Sequence, residues 1–154
     1  MDEDFIPLVP AGKYKLVYER YETFQFCRAP KVAVWFRIID LGPHFGKTVP
    51  RYYNVRQIKG KVGKSGNFKA KRSGDLVNEF CTIANWRPSR LDRFSFERFK
   101  GKVIQGRVGV VDRDYQQKEL HELARYSKVE ALLCVLEDSQ PTPLPTPMPI
   151  PTPT

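Results

Sequence analysis

A mainly β fold, a small five-stranded barrel with one helix between its third and fourth strands, is predicted by three observations. Apolar and polar residues alternate with period two in several separate stretches, and one stretch has apolar residues at helical spacing. That helical stretch follows three strand-like segments and precedes two more. With 154 residues, of which 41% are hydrophobic and 12% aromatic, the chain can bury one core. Residues 1–138 are read as one domain and residues 139–154 as a tail.

The first strand is expected at Lys13–Tyr21, where Tyr14, Leu16 and Tyr18 point one way and Lys13, Lys15, Val17 and Glu19 the other. Glu22 to Pro30 reads as a polar and aromatic connector. Lys31–Asp40 has the strongest alternation, with Val32, Val34, Phe36 and Ile38 on one face and Ala33, Trp35, Arg37 and Ile39 on the other. After a turn at Leu41–Gly46, Lys47–Val55 forms a third strand, which Pro50 keeps near an edge or bulge. Arg56–Gly74 is rich in glycine and lysine and reads as a mobile loop. From Asp75, Leu76, Val77, Phe80, Ile83 and Ala84 recur at spacings of three and four; Ser73 or Asp75 is available as a cap and Pro88 ends the helix. Lys102–Val111 is a β-branched run in which Gly106 and Gly109 predict curvature or a close backbone approach. Asp112–Leu123 reads as a polar hairpin loop, Ala124–Val129 as a fifth strand, and Val129, Leu132, Leu133 and Leu136 as a closing short helix. From Pro141 every second residue is proline, so the tail is an extended polyproline-like segment, a spacer or cloning remnant or else a ligand for a protein partner with an aromatic groove.

Charge is unevenly distributed. The formal net charge is +9, and no acidic residue occurs between Asp40 and Asp75, a window that holds Lys47, Arg51, Arg56, Lys59, Lys61, Lys64, Lys69, Lys71 and Arg72. Phe45, Tyr52, Tyr53 and Phe68 are threaded through it. Cations neutralise phosphates and rings stack on bases, so the pattern points to a nucleic-acid strand, whereas a plain solvated loop would need the charge alone. An anionic membrane surface fits less well, since no apolar run approaches the roughly 20 residues that cross a bilayer and the basic segment lacks helical amphipathicity. Asp2, Glu3 and Asp4 stand where an export signal would place positive charge, and Cys27, Cys81 and Cys134 suit neither a disulfide framework nor paired metal ligands. They read as reduced, mostly buried thiols, and the expected location is a bacterial host cytoplasm.

Three strands, a helix and two strands is the order of the Greek-key barrel called the OB-fold, which binds oligonucleotides across its second and third strands. If Val32, Val34, Phe36 and Ile38 are core, Trp35 and Arg37 face outward, Trp35 to stack on a base and Arg37 to hold a phosphate. Shared parity with Arg51, itself an expected nucleic-acid contact, favours Tyr53 over Tyr52 as the ligand-facing ring. Phe68 is the loop aromatic that stands without apolar sequence neighbours, and Lys59, Lys61, Lys64, Lys69, Lys71 and Arg72 serve as diffuse phosphate contacts. Arg28, Arg113 and Tyr115 are secondary candidates in the flanking loops.

The segments Val9-Pro10-Ala11-Gly12-Lys13-Tyr14, Val34-Trp35-Phe36-Arg37-Ile38-Ile39-Asp40, Gly42-Pro43-His44-Phe45-Gly46-Lys47 and Arg51-Tyr52-Tyr53-Asn54-Val55, with Gly101-Lys102 further on, resemble small proteins of bacteriophages and mobile elements. Several of those are similar to single-stranded DNA-binding proteins of the OB-fold type. The resemblance covers roughly residues 7–136 and implies a role in DNA replication or recombination. Single-stranded DNA-binding proteins of bacteria typically end in an acidic partner-recruiting tail; here the tail is uncharged proline, threonine and other neutral residues.

Catalysis finds little support. Gly60-Lys61-Val62-Gly63-Lys64-Ser65 lacks the first glycine of a phosphate-binding P-loop, because position 58 is Ile58. His44 and His121 have no metal-ligand spacing around them, His121 beside Glu119 and Glu122 included, and the carboxylates are scattered. The expected protein is non-enzymatic and needs no cofactor or metal. It binds single-stranded DNA, with RNA as the other strand the residues would accept and self-association left open. The competing expectation is a scaffold or protein-interaction module of a mobile element with an incidental basic loop.

Overall fold

A computed structural model describes residues 8–92, 95–113, 116–121 and 125–138. Its elements in chain order are β1 (Gly12–Phe26), β2 (Ala29–Ile38), β3 (Thr48–Asn54), β4 (Gln57–Lys59), β5 (Gly63–Lys64), β6 (Asn67–Lys69), α1 (Asp75–Ala84), a 3-10 turn (Phe96–Phe99), β7 (Lys102–Val111) and β8 (Tyr126–Asp138). The protein is mainly β, and its main sheet is antiparallel in the order β3-β2-β1-β7-β8, with β5 added to β1. No ladder joins β3 to β8 among the described residues, so the predicted closed barrel is an open sheet in which these end strands pack against each other. Pro50 removes a donor from β3, and α1 packs on both end strands.

β1 is longer than its alternation predicts. The register with β2 shifts between Tyr18 and Arg20, a bulge that moves the inward set from Tyr14, Leu16 and Tyr18 to Tyr21 and Thr23. The expected connector is therefore strand, and β1 turns into β2 through Cys27 and Arg28, whose φ values of 52° and 69° are both left-handed. Two such residues make the tight turn that matches strand twist. Neither is glycine or asparagine, and the turn carries no compositional signature.

β2 follows its expected parity, with Val32, Val34, Phe36 and Ile38 fully buried. β7 spans the expected range, and its glycine has the expected cause: a Cβ on Gly106 would stand 2.5 Å from Leu16 Cδ1 on the neighbouring strand. β8 corrects the closing helix. The β7–β8 register shifts three times, so inward positions in β8 fall at Ser127, Val129 and Leu132 with Val135 packed behind them, a spacing of two and then three that imitates a helix.

The loop expected at Arg56–Gly74 is also corrected. β4 and β6 form a small hairpin that buries Phe68 and is followed by buried Ala70, whose amide donates to Leu91 O at 2.8 Å. α1 begins and ends close to expectation and buries Leu76, Phe80, Ile83 and Ala84. It has no side-chain cap from Ser73 or Asp75; Gly74 occupies the N-cap and Asn85, in a left-handed conformation, stops the helix before Pro88. Rings fill the core: Phe96 lies 4.8 Å from Tyr21 and 5.5 Å from Phe99, and Phe80 lies 5.6 Å from Phe99. The cysteines are free, but Cys27 and Cys134 are exposed and Cys81 is half-buried, so most are not the buried thiols expected.

Candidate nucleic-acid interface

Residues directly opposed across an antiparallel ladder project from the same side of the sheet. The side of β1, β2 and β3 away from the core therefore carries four rows that cross all three strands, namely Phe24, Lys31 and Asn54; Glu22, Ala33 and Tyr52; Arg20, Trp35 and Pro50; Val17, Arg37 and Thr48, and Phe26 opposite Ala29 continues the face at the β1–β2 turn. β5 extends the second row, because Lys64 is opposite Glu22. The face thus combines the rings Phe24, Phe26, Trp35 and Tyr52 with the cations Arg20, Lys31, Arg37 and Lys64, against the acids Glu19 and Glu22.

Packing across this face follows side-chain size. Ala33 lies between Glu22 and Tyr52, and its small side chain leaves room for Phe24 and Tyr52 to meet edge to face at 5.8 Å across β2. Both rings are half-buried. Burial, followed by the nearness of Tyr126 and Glu22, pushes the Tyr52 phenol up to about 12, so it remains a neutral donor at ordinary pH. Trp35 is only 7% exposed. The Arg20 guanidinium lies over its ring at 5.0 Å and its Nε1–H donates to Glu22 Oε1 at 3.2 Å. Trp35 is on the expected side, but Arg20 covers the surface expected to stack; half-buried Phe24 and Tyr52, with the more exposed Phe26 at the turn, are the rings at hand. Arg37 is exposed and pairs with Glu19 at 3.3 Å, and Glu19 also approaches Arg20 at 3.6 Å. Lys31 Nζ donates to the neutral Asn54 Oδ1.

Three of the expected contact residues lie elsewhere. Tyr53 and Arg51 share the inward parity of Val32 and Val34, and Tyr53 is 2% exposed. Its hydroxyl donates to Glu79 Oε1 of α1 at 2.6 Å, and the Arg51 guanidinium lies over its ring at 4.5 Å. Arg51 grips the same carboxylate twice, Nε to Oε1 at 3.0 Å and Nη2 to Oε2 at 2.6 Å, and Asp75 stands 3.8 Å away. This is a tie between β3 and α1, not a ligand-facing pair. Although burial opposes its charge, hydrogen bonding to Glu79 and the neighbouring anions raise the Arg51 pKa above its ordinary value. Phe68 is 4% exposed and packs on Tyr21 at 5.9 Å and Phe96 at 6.2 Å; its apolar neighbours come from distant parts of the chain.

The expected phosphate contacts divide as well. Lys59 is engaged with Asp92 at 3.0 Å, and Arg90 binds the same carboxylate, which these partners hold down to about 2. Lys61, Lys64, Lys71 and Arg72 are exposed and Lys69 half-buried, and none pairs with a carboxylate among the described residues. Arg28 is exposed at the β1–β2 turn, while Arg113 donates to Gln117 O at 3.2 Å. Tyr115 and the proline-rich tail lie outside the described residues.

Sequence reasoning missed Arg20, Glu22, Phe24, Lys31 and Tyr52. The first three were legible as a second alternation after Glu19, out of phase with the first by one residue. No helix of the described residues is long and apolar enough to cross a membrane, and no group of three metal-ligating side chains occurs among them. Neither a family model, nor a curated protein, nor a solved structure matches the chain.

Proposed function

We propose that this chain is a non-enzymatic single-stranded DNA-binding protein of the OB-fold type, serving the DNA metabolism of a phage or mobile element. The observation that carries the reading is the face of β1–β3, where Phe24 and Tyr52 lie among Arg20, Lys31, Arg37 and Lys64. Half-buried rings offer stacking surface to unpaired bases, each stack worth roughly 1–3 kcal/mol, and the surrounding cations neutralise phosphates whatever the sequence. The order β3-β2-β1-β7-β8, with α1 between β3 and the last two long strands, supports the fold type. Lys61, Lys69, Lys71 and Arg72 add charge around the same chain segment.

The test is a titration of matched single-stranded DNA, RNA and duplex over a range of salt. Single-stranded DNA should bind tightest, with a log-log salt slope of about −0.7 for each phosphate contacted. Absence of binding to oligo-dT at low salt would sink the reading. A scaffold function would then take its place, favoured by Leu41 and Phe45, which the β2–β3 turn presents at 92% and 56% exposure.

A further inference from the structure

Glu22 is out of keeping with a surface that only attracts phosphates. It stands between Lys64 and Ala33 in the row that ends at Tyr52, with the Phe24–Tyr52 ring pair beside it and Trp35 in the next row. A carboxylate there repels the backbone of a bound strand. Its geometry is nevertheless fixed: Oε1 accepts the Trp35 indole N–H at 3.2 Å, which orients the group. A carboxylate has about four lone-pair sites, and Oε2 accepts no hydrogen bond among the described residues. The result is an oriented, partly satisfied acceptor beside rings on which bases would stack.

We infer that Glu22 reads the base stacked at Tyr52 and Phe24, and that it selects guanine. The inference rests on the single-strand-binding function proposed above and gives that face a preference. Among the bases, guanine offers two adjacent donors, N1–H and the N2 amine, with no acceptor between them, and so matches both oxygens of a carboxylate. Thymine offers one N–H flanked by carbonyl oxygens, which a carboxylate repels. Cytosine and adenine each offer an amine beside an acceptor nitrogen. Hydrogen-bonded base recognition of this two-point kind discriminates by roughly tenfold or more. Glu19 serves as a contrast on the same strand: it pairs with Arg20 and Arg37 and, among the described residues, makes no contact with a ring's donor. Its charge bears on phosphates, not on base identity.

The experiment measures binding of the full chain to oligo-dT and to the same oligonucleotide carrying a guanine or an inosine at each position in turn. Inosine keeps N1–H and lacks the N2 amine. The expected result is about tenfold tighter binding of the best guanine oligonucleotide than of oligo-dT, with inosine in between. Glu22→Gln keeps an acceptor for Trp35 and should abolish the preference, whereas Glu19→Gln should tighten all three alike and leave it intact. Equal affinity of the wild type for guanine and thymine, or a preference that survives Glu22→Gln in a protein with unchanged circular dichroism, overturns the assignment while the binding function stands. Failure of every oligonucleotide to bind at low salt overturns both.

Discussion

Tyr52 and Tyr53 are adjacent, chemically identical and opposite in fate. Strand alternation sends Tyr53 under α1, where its hydroxyl meets Glu79, and leaves Tyr52 on the outer face against Phe24. Tyr52→Ala should therefore weaken single-stranded DNA binding by roughly 1–3 kcal/mol, with a salt slope unchanged in the same titration. Tyr53→Phe leaves the Arg51–Glu79 pair one partner short, and Glu79→Ala strands Arg51 with little solvent around it. Breaking a buried pair from one side costs about 3–5 kcal/mol, which a urea melt of Glu79→Ala would register as a lower midpoint. Phe68→Ala belongs to the same class: truncating a core phenylalanine costs about 3–5 kcal/mol. If Phe68→Ala instead lowered affinity and left the melt unchanged, its place in the core would be wrong.

Among the elements, the β4–β6 hairpin departs most from expectation. Lysine and glycine gave it the composition of a mobile strap, yet Ile58 and Phe68 are paired in its ladder, Phe68 anchors it in the core, and Lys59 reaches Asp92. Asp92 has a pKa in the fold of about 2, below its ordinary 3.8. A depressed carboxyl contributes stability above its unfolded pKa and loses it as pH falls through the folded value, so this contribution fades between those two values. Protection factors of the amides around Lys59 and Ala70, which correct exchange for its intrinsic pH dependence, should fall over that acid window, and Asp92→Asn should remove that fall. In β7, Gly106→Ala drives a methyl into Leu16 and should cost about 1–3 kcal/mol by overpacking, measured by the same melts.

At the scale of the whole molecule, the tyrosines set the alkaline limit. Burial raises Tyr18 and Tyr52 to about 12 from 10.0 and raises Tyr53 in the same direction. An acid whose folded pKa lies above its unfolded pKa binds its proton better when folded. Stability is then complete below the unfolded value and falls as pH rises past it. The protein should unfold cooperatively above pH 10.0, with phenolate absorbance and loss of circular dichroism moving together. Charge likewise acts over the whole surface: Lys69→Ala with Lys71→Ala should flatten the salt slope by about 1.4 if each meets one phosphate, without altering base preference.

The core face of β2, the extent of β7 and the span of α1 were legible in the sequence because each follows one period from end to end. β1 and β8 were not, since bulges shift their parity and a shifted alternation resembles a connector in one case and a helix in the other. The acid-free window, too, is a property of the chain and not of space. Folding brings Glu79 to Arg51, Asp92 to Lys59 and Glu22 opposite Lys64, each from outside the window. A mainly β protein with surplus positive charge and rings to spare could be read without coordinates, because composition and local period survive any arrangement of the elements. Which rings face outward, which cations keep their charge unpaired and where carboxylates interrupt them depended on strand register, and register is set only when distant segments pair.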